Sequence, residues 1–243
     1  MGHEPENRFG VRIVLFAIAF VLAAGPFGFL VSQVTGNGSL LHSDADLASR
    51  LHRWALSGPG RVDELKGVTF FGSGPWLAIL VLVVSLTLFV RRRPRLGVFL
   101  VLTAALGGII DTIVKDWVGR PRPAFTHPIV VESGKSFPSG HAMSSTIVYG
   151  ALALIVLPLF PRRERVVPVA LAATLVLVIG FTRLALGAHF LTDVLGGYVL
   201  GLSWLFVSTA AFTAWRRERI GRPSRITEGL EAAVAAPGHA EVD

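Results

Sequence analysis

The sequence contains no cysteine among its 243 residues. This absence excludes disulfides, thiolate zinc sites, iron–sulfur clusters and cysteine nucleophiles. Charged residues are also scarce, at 16%, where a typical soluble domain has roughly 25%. Hydrophobic residues make up 52% and the mean hydropathy is +0.60, which argues against a water-soluble globular protein.

The positive charge of the chain has a membrane interpretation. The formal net charge is +7 and the isoelectric point is near 10.9. In a soluble protein these values suggest a nucleic-acid partner, but here the Lys and Arg residues form short clusters beside apolar runs. We therefore expect a membrane topology and no nucleic-acid partner.

Six long apolar runs predict six transmembrane helices. Each has 17 to 23 residues, close to the ~20 that cross a hydrocarbon core. The runs are 13–31, 68–90, 96–114, 142–160, 166–182 and 194–215, and only Asp111 interrupts them with a charge. Because backbone groups in lipid must be satisfied within each segment, the predicted fold is all-α, a polytopic six-helix transmembrane bundle. The first run has an alternative reading as a cleaved signal peptide, although it is longer than the usual signal core.

The distribution of Lys and Arg predicts the orientation. Fourteen of the 23 such residues fall on one side of the predicted spans. By the positive-inside bias this side is cytoplasmic, so both termini lie inside and the alternate loops lie outside. We expect a multi-pass protein of the cell inner (plasma) membrane.

Two segments stand apart from the spans. Residues 44–56 place Leu47, Leu51, Trp54 and Ala55 at helical spacing, which predicts an amphipathic helix in the outer interface or a short packing helix. The predicted six-span transmembrane domain is 1–215, and 216–243 reads as a basic, then disordered, cytoplasmic tail.

Three polar clusters interrupt the apolar chain, and the predicted topology puts all three at the outer surface. The first follows the third span and contains Lys115, Arg120 and Arg122, with Pro121 and Pro123 stiffening the loop. Arg and Lys together suit a multiply charged oxyanion, because the guanidinium binds two oxygens and the ammonium is a point charge. Ordinary flanking charge, with Asp111 and Lys115 as an i,i+4 pair, is the alternative.

The second cluster is 136–141, at the start of the fourth span. Ser139 is a natural helix cap and Gly140 permits close backbone approach, so the N–H groups of the first turn can bind an anion. His141 at this point can give or take a proton near neutral pH. The alternative is a solvated histidine beside a common helix start.

The third cluster runs from Thr182 to Asp193, before the sixth span. If the chain is helical from Ala188 onward, His189 and Asp193 lie at i and i+4 on one helix face, so the carboxylate can accept a hydrogen bond from one ring nitrogen and leave the other free for attack. Polar residues entering an apolar span are costly, which favours a functional site over a buried pair that only joins two helices.

The three clusters together resemble the three-part signature of the type 2 phosphatidic acid phosphatase family. The matching residues are Lys115, Arg122, Pro123, Pro138, Ser139, Gly140, His141, Arg183, His189 and Asp193. They span about 80 residues, and the six-span layout extends the similarity over most of the chain. Thr182 stands where the family usually has Ser.

This resemblance implies a role for each residue. His189 would attack phosphorus and form a phosphohistidine, with Asp193 orienting it. His141 would protonate the leaving oxygen and then activate water. The groups that would hold the phosphoryl oxygens are Lys115, Arg122, Arg183, Ser139 and the Gly140 amide. Three cations and a helix N-terminus would neutralise the charge, so neither a metal nor another cofactor is expected.

The expected substrate is a lipid phosphate, because the clusters lie at the ends of spans. Phosphatidic acid, phosphatidylglycerol phosphate and undecaprenyl pyrophosphate all stay open, and the sequence predicts no oligomeric state. A non-hydrolytic lipid-phosphate binder or flippase is an alternative function, although it has no use for two histidines. Vanadate-dependent peroxidase chemistry is another, against which the six spans argue.

Overall fold

The computed structural model of the protein describes residues 25–36 and 40–220, except for the side chains of 216–220. Eight α-helices lie within these residues. They are α1 (25–35), α2 (Leu40–Leu56), α3 (Arg61–Phe70), α4 (Gly74–Val90), α5 (Pro94–Val118), α6 (Gly140–Val156), α7 (Val166–Ala185) and α8 (Leu191–Ile220). Short 3₁₀ turns at Leu157–Leu159 and Arg162–Glu164 join α6 to α7. The described chain has no strand, and the predicted all-α class is confirmed.

Five helical stretches of the described chain are long and apolar enough to cross a membrane. They are Arg61–Val90, Pro94–Val118, Gly140–Leu159, Arg162–Ala185 and Leu191–Trp215. These five match the second to sixth predicted spans, and the protein is a multi-pass membrane protein. Of the predicted first span 13–31, residues 13–24 lie outside the described residues and the rest belongs to α1. The total of six stays a prediction.

The first of these stretches consists of two helices. It breaks at 71–73 between α3 and α4, where Pro75 enters the first turn of α4 and Ser73 is its N-cap. Proline is tolerated there because the first helical N–H groups have no intrahelical acceptor. A Cβ atom on Gly72 would lie 2.5 Å from Ile179 and 3.2 Å from the ring of His141. The break therefore passes tightly against α7 and the start of α6.

The buried face of helix α2 is shifted from the predicted one but shares Ala55 with it, and the predicted Leu47 and Leu51 are half-buried. Its buried residues are Asp44, Ala48, His52 and Ala55, whereas Trp54 is exposed. The helix packs against α3, α7 and α8, which favours the packing-helix interpretation of 44–56. Apolar periodicity left Asp44 and His52 out of this face because they are polar. Both are buried with hydrogen-bond partners, and such partners remove most of the cost of burying a polar group.

Helix α6 is the centre of the bundle and packs against α4, α5, α7 and α8. Its contact with α8 is very close. A Cβ atom on Gly197 would lie 2.7 Å from the carbonyl oxygen of Ser139, and one on Gly201 would lie 3.0 Å from that of Met143. The Gly197 and Gly201 spacing therefore serves backbone packing between helices, as expected of small residues in membrane bundles.

Connectivity brings the polar clusters to one end of the bundle. The loop 119–139 joins the end of α5 to the start of α6, and the loop 186–190 joins the end of α7 to the start of α8. Because successive spans run in opposite directions, these four helix ends share one side of the membrane. Helix α2 packs against α7 and α8 and contributes Asp44 to this end of the bundle. The loops 119–139 and 186–190, the helix ends that they join and Asp44 are together called the rim.

Candidate active site

The first two clusters meet at the start of α6. Lys115 lies in the last turn of α5, where it pairs with Asp111 as an i,i+4 ion pair. A Cβ atom on Gly140 would lie 3.2 Å from Lys115 Nζ and 3.2 Å from Asp111 Oδ2. The ammonium therefore sits directly against the N-terminus of α6, and Gly140 provides the space for it.

Ser139 occupies the N-cap position of α6, as predicted, with an extended backbone. Its hydroxyl makes no capping hydrogen bond, and its Oγ is buried without a partner among the described residues. Its backbone N–H donates to the carbonyl oxygen of Asp193 at 2.9 Å, which joins the α6 N-terminus to the first turn of α8. The hydroxyl is thus left available to an anion at the helix N-terminus.

The ring of His189 is buried and held from both sides. Its Nε2 lies 3.1 Å from Arg122 Nη1, and its Nδ1 lies 3.5 Å from Asp193 Oδ2. A guanidinium can only donate, so Nε2 accepts and the proton of the neutral ring belongs on Nδ1, facing the carboxylate. This tautomer directs the lone pair of Nε2 toward the arginine side of the site.

Asp193 is fully buried, and its two oxygens have separate partners. Oδ1 accepts from Arg120 Nη1 at 2.6 Å. Oδ2 accepts from the Phe190 backbone N–H at 2.8 Å and from the hydroxyl of Ser136, and the same oxygen faces His189. These bonds favour the charged carboxylate and fix its orientation.

Arg122 and Arg183 form an anion cradle, here defined as their two guanidinium groups, and it holds the carboxylate of Glu132. Arg122 Nη1 lies 3.0 Å from Glu132 Oε2, and Arg183 Nη2 pairs with Glu132 Oε1. Arg183 also donates to Thr69 Oγ1 at 3.1 Å, while its buried Nε has no partner within the described part of the chain. Two guanidinium groups around one carboxylate show that the cradle accepts a planar, doubly coordinated oxyanion.

Burial and these charges shift two pKa values in the rim loops. Burial lowers the pKa of His189 below its ordinary value, and Asp193 offsets only part of this effect. The histidine is therefore neutral near pH 7, as a nucleophile must be. Burial by itself raises the pKa of Glu132, but Arg183 and then Arg122 outweigh it, and the net pKa lies below the ordinary value.

His141 is the second residue of α6 and is partly buried beside Gly72. It lies within electrostatic range of Arg183, Glu132, His189 and Arg122. Both histidines therefore face the same rim. All eight predicted site residues lie at this rim: Lys115, Arg122, Ser139, Gly140, His141, Arg183, His189 and Asp193.

Four further residues at the rim were not predicted as site residues: Asp44, Arg120, Glu132 and Ser136. Arg120 and Ser136 lie inside the polar clusters, so proximity to Arg122 and Ser139 was a usable signal. Asp44 precedes Arg120 by 76 residues, and no local pattern connects the two. The Thr182 hydroxyl donates to the Ile179 carbonyl oxygen of its own helix at 2.6 Å.

Comparison with known proteins identifies the family. Residues 96–217 match the PAP2 superfamily. The chain is 34% identical over 148 residues to phosphatidylglycerophosphatase B of Bacillus subtilis, covering 60% of this chain and 72% of that protein. It is 30% identical over 180 residues to lipid A 1-phosphatase of Rhizobium etli, covering 63% and 72%.

A solved structure agrees with these relatives. The crystal structure of a transmembrane PAP2 type phosphatidylglycerolphosphate phosphatase from Bacillus subtilis matches with a TM-score of 0.73 at 26% identity, covering 86% of this chain and 98% of that one. The chain belongs to the PAP2 superfamily, and the resemblance predicted from the three motifs is confirmed. It is a membrane phosphatase of this family, a hydrolase of phosphoric esters.

Proposed function

We propose that the protein hydrolyses a lipid phosphate monoester or pyrophosphate through a phosphohistidine on His189, without a metal. The observation that supports this most is the setting of the His189 ring. Its Nε2 faces the anion cradle while its Nδ1 faces a buried carboxylate. This arrangement has a use in nucleophilic attack on a bound phosphate and none in simple anion binding.

The first half-reaction forms a phosphorus–nitrogen bond. The phosphate replaces the Glu132 carboxylate between Arg122 and Arg183, near the Ser139 hydroxyl and Lys115. The lone pair of His189 Nε2 attacks phosphorus, the bond to the lipid oxygen breaks, and His141 gives its proton to that oxygen. Asp193 stabilises the positive charge that develops on the imidazole, since its carboxylate faces Nδ1.

The second half-reaction releases phosphate. His141, now neutral, takes a proton from a water molecule whose oxygen attacks phosphorus. The phosphorus–nitrogen bond breaks and its electrons return to Nε2, which restores neutral His189. The cradle and the α6 N-terminus hold the same oxygens throughout, so the protein contributes mainly position and charge neutralisation.

The substrate is proposed to be a lipid because the site lies at the ends of membrane spans. The phosphate head group of a lipid can reach this rim while the acyl or prenyl chains of the same lipid stay in the bilayer beside the helices. Candidate substrates are phosphatidic acid, phosphatidylglycerol phosphate and undecaprenyl pyrophosphate. The Bacillus relative is named for phosphatidylglycerophosphate and the Rhizobium relative for lipid A, both lipid phosphates.

We place the site on the extracytoplasmic face of the inner membrane, with both termini in the cytoplasm. The support is the charge asymmetry of the sequence. The inner-side loops carry clusters such as 91–95 and 162–165, whereas the rim of the site is at the opposite ends of the spans.

Phosphate release from purified protein in detergent or liposomes, with EDTA throughout, tests this function. The panel comprises the three candidate lipids, and we expect turnover of at least one. His189→Ala should reduce it by at least about a thousandfold, because the attacking atom is lost. Release by His189→Ala at the parental rate would show that the nucleophile is wrong. Lipid binding by the parent without phosphate release would favour the binder or flippase.

A further inference from the structure

A group of buried charged side chains connects helix α2 to Asp193. Arg120 donates through Nη1 to Asp193 Oδ1 at 2.6 Å and through Nη2 to Asp44 Oδ2 at 2.9 Å. Asp44 also accepts from the backbone N–H of Thr192 at 3.1 Å and from the Thr192 hydroxyl. One guanidinium thus links a carboxylate on α2 to the carboxylate that faces His189.

These three charged side chains are almost completely excluded from solvent. The exposed fractions are 2% for Asp44, 6% for Arg120 and 0% for Asp193. Buried charges are costly unless they are paired and hydrogen-bonded, so each member depends on its partners. The Arg120 guanidinium also lies 4.2 Å from the centre of the Phe190 ring, which covers it on one face.

Asp44 also completes the start of α8. The first N–H groups of a helix have no acceptor within the helix, and a carboxylate is a favourable acceptor at that end. The Asp44 carboxylate is the acceptor for the backbone N–H of Thr192, the residue that directly precedes Asp193. The backbone that carries Asp193 is therefore fixed from α2 as well as by Arg120.

The charges of this group matter for a cationic intermediate. Two carboxylates and one guanidinium leave one net negative charge beside a neutral His189. The ring becomes positive when Nε2 binds phosphorus, and a nearby net negative charge stabilises it in a low-dielectric site. Without the charge of Asp44, Arg120 would cancel the charge of Asp193.

We propose that Asp44 and Arg120 are positioning residues for phosphoryl transfer, which hold Asp193 in place and keep its charge effective toward His189. This inference rests on the proposed function. The side-chain hydrogen bonds and ion pairs of Arg120 and Asp44 go to α8 and to each other, and among the described residues none of them goes to the anion cradle. They act on the nucleophile through Asp193 and leave phosphate binding to other groups.

Asp44→Asn tests the proposal, with Asp46→Asn as the matched control because Asp46 is exposed on the same helix. We expect Asp44→Asn to lower kcat about 10- to 100-fold, as small displacements of a catalytic group do. The KM for the lipid and the inhibition constant for inorganic phosphate should stay within about twofold, because the cradle is untouched. Asp46→Asn should match the parent in all three.

A purely structural role would give a different result. If Asp44→Asn only disrupted the rim, kcat would fall and inhibition by inorganic phosphate would weaken at the same time. That pattern would overturn the proposal, and so would an unchanged kcat. Arg120→Lys is the second variant, since a lysine keeps the charge but cannot bridge two carboxylates in the same way. It should show the same split, with lowered kcat and intact phosphate inhibition. Failure of both variants to give a monodisperse protein in detergent would likewise overturn it.

The two proposals fail in distinguishable ways. An inactive parent, or an active His189→Ala, would disprove the proposed function. An active parent with an inactive His189→Ala and a fully active Asp44→Asn would disprove the positioning role alone.

Discussion

His189 differs from an ordinary buried histidine in having opposite charges on the two sides of its ring. Arg122 lies at Nε2 and Asp193 at Nδ1. A histidine that only joins two helices needs a partner but has no need of a cation at the second nitrogen. The cation therefore marks the position where an anion would bind, and Glu132 already occupies that region in the structure.

Glu132 competes with phosphate for the anion cradle, because its carboxylate pairs with both Arg122 and Arg183. Glu132→Gln removes this negative charge and keeps the size of the side chain. We expect inorganic phosphate to inhibit the variant with an inhibition constant about three- to tenfold lower than the parent's, as the loss of one partly exposed ion-pair partner would give. Inhibition of lipid hydrolysis by phosphate measures this.

Glu64→Gln is the control for this experiment, because Glu64 is exposed in the first turn of α3 and has no part in the site. It should leave phosphate inhibition as in the parent. Unchanged or weaker inhibition in Glu132→Gln would mean that the carboxylate does not compete for the phosphate position.

At the scale of elements, the contact between α6 and α8 fixes the proposed catalytic groups relative to each other. Helix α6 carries Ser139 and His141 at its start, and α8 carries Asp193 in its first turn. Gly197 lets the two backbones approach, because any side chain there would meet the Ser139 carbonyl. The small residues of this interface thus serve the geometry of the site as well as packing.

Gly197→Ala tests this link between packing and activity. The added Cβ would lie 2.7 Å from the Ser139 carbonyl oxygen and 3.1 Å from the Met143 backbone nitrogen, and backbone atoms cannot give way cheaply. We expect about 1–3 kcal/mol lower stability from overpacking and about tenfold lower kcat/KM from the displaced helix start. Thermal unfolding in detergent and phosphate release measure the two effects.

Gly108→Ala provides the comparison, since a Cβ atom on Gly108 of α5 would meet nothing within 4 Å among the described residues. It should leave activity unchanged and stability equal or slightly higher, because alanine favours the helix. Equal behaviour of the two variants would contradict a special role for the α6–α8 contact.

At the scale of the whole molecule, an apolar bundle carries its charged residues at its ends. Side chains such as Ile79, Leu82, Val83 and Leu86 of α4 are exposed, which suits a helix that faces lipid tails. Buried charges such as Arg183 and Asp193 lie at the rim, where they have partners. Lipid favours apolar side chains along the spans, whereas charged side chains are favoured at the ends of the spans, near water. The candidate site therefore forms at the boundary between lipid and water.

The absence of cysteine makes the membrane orientation directly measurable. Ser57→Cys, at an exposed position after α2, should react with a membrane-impermeant maleimide in intact cells or spheroplasts. Arg163→Cys, where the native side chain is 85% exposed between α6 and α7, should react only after permeabilisation. The reverse pattern would put the site on the cytoplasmic side.

Much of this molecule could be predicted from the sequence. Runs of about 20 apolar residues gave the second to sixth spans, because length and hydropathy are local properties that lipid enforces on each segment. The motifs around Lys115, Ser139 and His189 gave the candidate site residues that the structure brings to one end of the bundle, since connectivity alone places the ends of alternate spans on one side of the membrane.

Other features depended on tertiary structure. The buried face of α2, the bridge from Asp44 through Arg120 to Asp193, and Glu132 between two arginines all join residues distant in sequence. A carboxylate is stable in such a place only when particular partners surround it, so its burial cannot be inferred from its neighbours along the chain. The sequence by itself thus determined which segments are long and apolar enough to cross a membrane and which residues are candidates for the chemistry. Only the tertiary structure decided how charges are paired around His189, because pairing depends on distances between helices.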